Sequence, residues 1–560
     1  MSKNKEETIT IYCKNSGRSL DVPAGSSLSD VYALAGKPLR YRPMSARVNR
    51  RVEGLDYRCW TEADIEFVDH THPAGFRTYV RSLCYILARA VNDLYPRAVF
   101  DLEHSVSKGY YCAFADRRTV SADDTAKIKR RMQEIIDADV PFVLKKIRTA
   151  DAIDMFRRHG MDDKALLLET VGMAYTAYYE MDGYVDYFYG CLTPSSGYIH
   201  LFDLIPYEDG MLLLAPPHDR PDTLAPMVRQ DKMFQAYREH LVLQRTLGLN
   251  DVGELNRAVA GGGARQIVMV SEAMQEKQIA RIAEEITRRY DDGVRVALIS
   301  GPSSSGKTTF CKRLEIQLIT NLMHPIGISL DDYYLNRRDT PKDETGAYDF
   351  ESLYAIDLPC FYDSLHRLIA GERIEVPSFN FETGERVYRG RTLQMNRRNS
   401  ILILEGIHGL NPELTATIPS GRLFRIYVSA LTTIALDGHN WIPTSDNRLL
   451  RRIIRDCRSR GYPARETIAM WPRIRKGEDR WIFPYQENAD ATFNSAMIYE
   501  LAVLRKFVEP MLSEIREVDD ESAEAYRLLR FLRYFNYIPL EELPPTSLLR
   551  EFLGGGNFYY

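Results

Sequence analysis

The sequence predicts an α/β chain centred on an open parallel sheet with helices on both faces, preceded by smaller β-rich and α+β units. Three observations predict it. Residues 296–299 and 401–404 are unbroken apolar runs of strand length, and 326–330 is a largely apolar one that contains Ser329, as expected for strands buried on both faces. Each run ends in a polar feature: a glycine loop at 301–308, Asp331 with Asp332, and Glu405 with Gly406. After the glycine loop the spacing turns helical, with Phe310, Leu314, Ile316 and Leu318 among polar residues.

At 560 residues the chain exceeds a single core, and several domains are expected. Its 45% apolar and 27% charged residues describe a globular chain, and a net charge of −4 gives no global case for nucleic acid. The eight cysteines are scattered with no C-x-x-C pair, which excludes a zinc ribbon or disulfide framework and fits a reducing cytosol. The N-terminus carries no signal-peptide apolar stretch, and no run reaches membrane-spanning length. A cytoplasmic protein is expected.

Residues 1–70 read as a β-rich unit. Residues 8–12 alternate like a half-buried strand, Ser16 and Gly17 turn, and residues 18–22 return. Ser27 caps a short helix to Leu34, and 44–49 and 64–68 supply further strands. This order resembles the β-grasp TGS module at the front of threonyl-tRNA synthetases. Residues 71–221 extend the likeness: Leu94, Tyr95 and Pro96, Gly109, Tyr110 and Tyr111, Val140, Pro141 and Phe142, then 183–186 and 194–197, resemble that family's second N-terminal domain. The family domain carries an editing site of His-x-x-x-His and Cys-x-x-x-His. The matching positions here are Arg81, Tyr85, Phe188 and Leu192, so the resemblance implies a domain without that site. A binding role for tRNA, a nucleotide or another domain stays open. His70 and His72 sit in a turn-like segment and are expected in solvent. Arg117, Arg118, Lys127, Lys129, Arg130 and Arg131 are interleaved with acids, which favours a solvated helix face over an RNA patch.

Residues 222–290 read as a helical connector, with helices over 234–246 and 271–290. Phe234, Tyr237 and Leu241 share a packing face. Gly261, Gly262 and Gly263 are the candidate hinge.

Residues 291–515 carry the chemistry. The loop fits G-x-x-x-x-G-K-[ST] at every fixed position: Gly301, Pro302, Ser303, Ser304, Ser305, Gly306, Lys307 and Thr308, followed by Thr309. The two glycines let the backbone turn its N–H groups inward at a helix N-terminus, a nest for the phosphates of ATP. Lys307 supplies charge to the outer phosphates, and Thr308 a hydroxyl for Mg²⁺. Asp331, at the tip of a strand neighbouring the loop, stands in the crevice where open α/β sheets bind ligands and can take the proton of an attacking hydroxyl. Glu405 ends the third strand as an acid able to reach Mg²⁺. Farther on, Arg448, Arg452 and Arg455 share a helical face, with Arg451 about one residue around. Planar donors on a mobile helix would close over a transferring phosphoryl group.

In this order, GPSSSGKTT, ISLDDYY, Tyr348-Asp349-Phe350, VPSFNF, ILEGIHGLNP and RLLRRIIRDCRSRG resemble the uridine kinase/phosphoribulokinase family over about residues 290–500. With its front, the chain resembles bacterial multidomain uridine kinase-like (nucleoside kinase) proteins. The resemblance implies a kinase core using ATP and Mg²⁺. Asp331 matches the catalytic aspartate and Glu405 a metal-site acid, and Asp349 lies near the sugar-hydroxyl contact. Tyr334, Phe379 and Arg386 complete the expected acceptor side. Two departures stand out. Uridine kinases carry a tyrosine where this chain has Phe379, and a pyrimidine-reading histidine where it has Gly384. A polar base edge there loses its partners, which costs selectivity.

Residues 516–560 are expected to form a helical tail over 523–534, a last turn over 547–553, and a glycine-rich aromatic end that docks or frays. The function read from the sequence is ATP-dependent transfer of phosphate to a hydroxyl of a nucleoside or related small molecule. The alternative is a kinase or nucleotide-dependent regulator that engages tRNA or other RNA through the front domains.

Overall fold

In the computed structural model, which describes residues 7–558 except 97, 345, 381 and 396–397, five parallel strands make the central sheet. Phe381, the first six residues and the two terminal tyrosines lie outside the described residues. The strand order is His324–Ser329, Ser400–Glu405, Val296–Ser300, Leu423–Ser429 and Ala491–Asn494. Glu405 pairs with Ile299 on one side and Ser329 on the other. The Glu405 strand thus separates the loop strand from the Asp331 strand, which the sequence reading had as direct neighbours. The strands are apolar throughout because both faces are covered. Ala297, Ile299, Ile401 and Ile403 pack with Phe310 and Leu314 of helix Lys307–Thr320 and with Ile279 and Ile286 of helix Ala264–Asp291. Val296, Leu298, Leu402 and Leu404 point the other way, onto Phe361, Leu365 and Leu368 of helix Leu358–Ile369.

The N-terminal sheet runs Arg18–Pro23, Thr8–Cys13, Ala63–Val68, Ser45–Val48, Arg51–Glu53, with its two central strands parallel. A capping box of Ser27 and Asp30 starts helix Leu28–Leu34. This is the expected β-grasp order. Helix Pro73–Leu94 then packs against a four-stranded antiparallel sheet, beside a separate three-stranded one. The positions matching the editing site are filled. Tyr85, Phe188 and Leu192 belong to one core cluster, and Arg81 donates twice to the Cys191 carbonyl, at 3.1 and 3.0 Å. His70 is a correction: it is buried, bonded to the Pro216 carbonyl and edge-on to Tyr79, and burial holds its pKa down. His72 caps helix Pro73–Leu94 through the Ala74 amide. On helix Ala122–Asp137, Lys127, Lys129 and Arg131 pair with Asp123, Asp203, Asp93 and Glu134, a compensated face. Among the described residues no helix is long and apolar enough to cross a membrane.

The connector is helices Asp231–Leu247, Val252–Ala260 and Ala264–Asp291. The middle one was absent from the sequence reading. It pins the candidate hinge: Gly262 does turn, at φ +82°, but Asn256 donates to the Tyr534 carbonyl at 2.6 Å and accepts from the Asn536 amide at 2.8 Å. One apolar cluster joins Ala152 and Leu167, Val252 and Leu255, Leu450 and Leu504, and Leu528 and Leu549. The front domain, the connector, helices Thr444–Ser459 and Glu500–Ser513 beside the central sheet, and the tail therefore share a core. The last turn is docked, with Leu548, Leu549 and Phe552 buried, and in the glycine-rich end beyond it the Asn557 amide donates to the Pro545 carbonyl at 3.0 Å.

A finger of the C-terminal half, strands Ala435–Asp437 and Asn440–Trp441, enters the front domain. There Lys164, 1% exposed, lies 3.0 Å from Asp186 and 2.7 Å from Asp437, and His439 bonds Asp186 at 2.7 Å. Asp251 beside this cluster, near Glu254, Asp163 and Asp437, has its pKa pushed up to about 8, chiefly by burial. Asp101, near Glu103 and Asp163, is pushed up to about 7 for the same reason. Acids raised on folding add stability below their unfolded pKa of about 4 and lose it as pH rises through the folded value. His104 and His408, held down to about 3 and about 4 by burial, act the opposite way, but that effect is complete above about pH 6.5. The thermal midpoint is therefore expected to fall between about pH 6.5 and 8.5, and Asp251→Asn to flatten the fall. Calorimetry across that range checks it, and a level wild-type midpoint would refute the assignment.

Candidate phosphoryl-transfer site

The glycine loop takes the backbone its residues were expected to allow. A side chain at Gly301 would run into the Val428 carbonyl, and Gly306 sits at φ +83° as the N-cap of helix Lys307–Thr320. Ser304 also holds a left-handed conformation, φ +57°, a strain for a residue with a Cβ. The first amides of the helix have no intrahelical partner and face the site. Lys307 Nζ lies 3.3 Å from the Pro302 carbonyl, inside the loop.

The arginine helix, Thr444–Ser459, differs from the mobile lid expected. Leu449, Leu450, Ile453 and Ile454 bury it in the shared core, and the arginines between them are drawn inside. Arg448 and Arg451 are 1% and 0% exposed. Each meets the carboxylate such burial requires: Arg448 pairs with Glu478, and Arg451 with Glu500 at 2.6 Å. Both also hold the loop from behind. Arg448 donates to the Ser303 carbonyl at 2.9 Å, Arg451 to the Ser304 carbonyl at 3.4 Å, and Glu478 accepts the Ser303 amide at 3.0 Å. Arg448 and Arg451 are thus braces of the loop, a correction to their reading as arginines of a mobile helix that closes over the transferring group. Arg452 donates to the Ser303 hydroxyl at 2.6 Å, and Arg455 bonds Asp456 at 2.9 Å.

Asp331 is the second residue of a short turn, Leu330–Tyr333, directly after its strand. Its carboxyl is raised by burial and lowered in turn by Lys307, Arg460, Arg455 and a hydrogen bond from Tyr334. Lys307 and Asp331 therefore lie within electrostatic reach of each other. Glu405, between them in the sheet, is pushed up to about 7 by burial, against the pull of Lys307 and with the repulsion of Asp331, Glu551 and Asp332. Glu351, which the sequence reading missed, joins them. Burial and then Glu478 push its carboxyl up to about 7, and Arg452 and Lys307 oppose this. Its Oε2 is buried with no hydrogen-bond partner among the described residues. Asp349 instead forms the turn before it, accepting the Glu351 amide at 3.2 Å. Arg460 was likewise passed over, although it closes the arginine run.

On the expected acceptor side, the Phe379 ring meets Tyr334 edge-on at 5.7 Å, and its amide donates to Asp332 at 3.4 Å. Arg386 is committed to Asp357 at 2.9 Å. At Gly384, φ +72°, a Cβ would come within 2.7 Å of Arg337 Nε, so a guanidinium fills the space beside that glycine. The donor set fits a hard divalent cation: the Thr308 hydroxyl and the Glu405 carboxylate are oxygen ligands, and the raised acids mark a spot where positive charge would be welcome. No group of three or more His, Cys, Asp or Glu side chains with metal-binding geometry occurs among the described residues.

The family described as "Phosphoribulokinase / Uridine kinase family" matches residues 296–501. At the front, the chain is 27% identical over 188 residues to a threonine–tRNA ligase of Geobacter sp., covering 34% of this chain and 30% of that one. It is 30% identical over 177 residues to the threonine–tRNA ligase of Syntrophotalea carbinolica, covering 31% and 28%. The chain thus spans less than a third of the length of these relatives. A solved structure described as a possible uridine kinase from Bacillus stearothermophilus is 18% identical, with a TM-score of 0.27, covering 38% of this chain and 98% of that one. Residues 296–501 are a phosphoribulokinase/uridine kinase family domain, carried behind an N-terminal region similar to that of threonine–tRNA ligases.

Proposed function

We propose that the protein is an ATP-dependent kinase that transfers the γ-phosphoryl group to a hydroxyl of a nucleoside or related small molecule. The supporting observation is that the glycine-loop strand and the Asp331 strand flank the Glu405 strand, with Lys307 the cation that most lowers the Asp331 carboxyl. Loop amides and Lys307 hold the triphosphate, while Arg452, Arg455 and Arg460 add positive charge above it. Asp331 orients the acceptor hydroxyl and takes its proton as oxygen attacks phosphorus and ADP leaves. Burial raises its pKa from the ordinary carboxylate value, which makes the ionised carboxylate a stronger base. The unpartnered oxygen of Glu351 offers a second contact for the acceptor. Mg²⁺, held by Thr308 and Glu405, would neutralise phosphate charge. Everything else the protein contributes is position and electrostatics.

An ATP-consumption screen across nucleosides and sugar alcohols tests the proposal. One class of acceptor is expected to drive ADP formation, and Lys307→Ala to abolish it. ATP binding with turnover on no acceptor would favour a nucleotide-dependent regulator. Uridine is expected to show no selective advantage in kcat/KM. Phe379 brings no hydroxyl to a base edge, and Arg337 occupies the space beside Gly384. A preference for uridine over purine nucleosides of more than about tenfold, some 1.4 kcal/mol, would contradict this.

The N-terminal likeness favours a second reading, in which the front domains hold tRNA near the kinase. A gel shift with tRNA at low and moderate salt tests it. No shift at either would leave those domains as scaffold.

A further inference from the structure

The C-terminal segment is fixed against the glycine loop. Leu548, Leu549 and Phe552 are fully buried, Leu548 lies on Gly306, and the Phe552 ring is 5.1 Å from the Arg451 guanidinium. Arg458 donates to the carbonyls of Glu551 and Phe552, at 2.7 and 2.9 Å, and Arg550 to that of Leu543 at 2.7 Å. These contacts set the turn Arg550–Leu553, and the turn delivers one carboxylate. Glu551 Oε2 accepts from the Thr309 amide at 3.1 Å and the Thr309 hydroxyl at 2.7 Å.

Thr309 lies in the first turn of helix Lys307–Thr320, and the first intrahelical bond there is from the Phe310 amide to the Gly306 carbonyl. The Thr309 amide is therefore one of the donors that the positive end of a helix offers to an anion. Glu478, which accepts the Ser303 amide of the loop, is matched by Arg448, and Glu500 matches the loop brace Arg451. Glu551 makes no ion pair among the described residues and has a like charge, Glu405, within electrostatic reach. It is held at the loop by the Thr309 donors and not by a countercharge.

We propose that Glu551 is a tethered competitor for the nucleotide: its carboxylate takes the Thr309 donors when no nucleotide is present, and it must swing away before a phosphate can use them. This rests on the triphosphate-binding reading of the loop. The turn itself stays in place, because lifting it would bring Leu548, Leu549 and Phe552 into water. The switch is therefore one side chain changing rotamer. Nucleotide affinity is lowered by the fraction of molecules in which Glu551 occupies the donors. A singly charged anion is a poorer displacer than a triphosphate, so the device also filters ligands by charge.

Titration calorimetry with ATP and with inorganic tripolyphosphate, on wild type and Glu551→Gln, tests the proposal. Gln is isosteric and leaves the turn intact, but its neutral oxygen competes less well. Glu551→Gln is expected to bind ATP about tenfold more tightly, and tripolyphosphate to gain by a similar factor. Glu551→Ala should move in the same direction. Unchanged or weaker binding in both variants would overturn the proposal. So would a gain confined to ATP, which would mark a contact with the base or sugar. Lys307→Ala separates the layers. ATP binding that needs Lys307 but ignores Glu551 defeats only this inference. Absence of binding by wild type and both Glu551 variants defeats the nucleotide reading too.

Discussion

Asp331→Asn is expected to retain ATP binding and to lose phosphoryl transfer by about 10²- to 10⁴-fold, the range a positioned general base contributes. The two halves of that expectation come from the same crevice. The Asp331 carboxyl is close enough to Lys307 to feel its charge, yet the glycine loop holds it through no hydrogen bond, its nearest support being Tyr334. Removing its charge should leave the nest standing. It should even favour the triphosphate slightly, because one of several acids around Lys307 no longer repels it. Asn keeps shape and hydrogen-bonding capacity but cannot take a proton at neutral pH. ATP affinity by calorimetry and transfer from labelled ATP to the best acceptor measure the two parts. Transfer at the wild-type rate would remove Asp331 from the mechanism. Lost ATP binding would make it part of the nucleotide site instead.

Lys164→Met is expected to destabilise the protein by about 3–5 kcal/mol, the cost of leaving buried charge unmatched. Lys164 is the single ammonium between Asp186 and Asp437, both 0% exposed, and the two carboxylates come from opposite halves of the chain. Asp186 keeps His439 and has its carboxyl held down at about 2, despite burial, by His439 and Lys164 together. Asp437 keeps only Asn440 and the His439 amide as donors once the lysine is gone. The larger share of the loss therefore falls on Asp437. The double variant Lys164→Met/Asp437→Leu should recover part of the stability, because both charges leave together. Chemical denaturation of the wild type, both single variants and the double variant measures it. A double-variant loss equal to the sum of the two single losses would show that the pair carries no coupling.

The central sheet and its loop were legible because local rules agree there: apolar runs of strand length, glycines where the backbone must turn, and a helix immediately after. Strand order was not legible. Asp331 and Glu405 each end a run next to the loop strand in the sequence reading, and only pairing shows that Glu405 lies between. Arg448 and Arg451 misled for a related reason. A run of arginines reads as solvated or mobile, and the carboxylates that bring it indoors, Glu478 and Glu500, lie 30 and 49 residues later. Glu351 was missed by two positions, since the motif drew the eye to Asp349, whose side chain closes a local turn. His70 was misjudged because turn residues around it suggest water, whereas Tyr79 of the following helix and Pro216, 146 residues on, enclose it.

Lys164 and Asp437 are separated by 273 residues. During synthesis at about 5–20 residues per second, the front of the chain leaves the ribosome roughly 15–50 s before its counterpart exists. For that interval Asp186 and the groove that will receive the finger stand open to water and to holdase chaperones. A protein made as two separately translated pieces would have to find this contact by diffusion, at the concentration of free fragments.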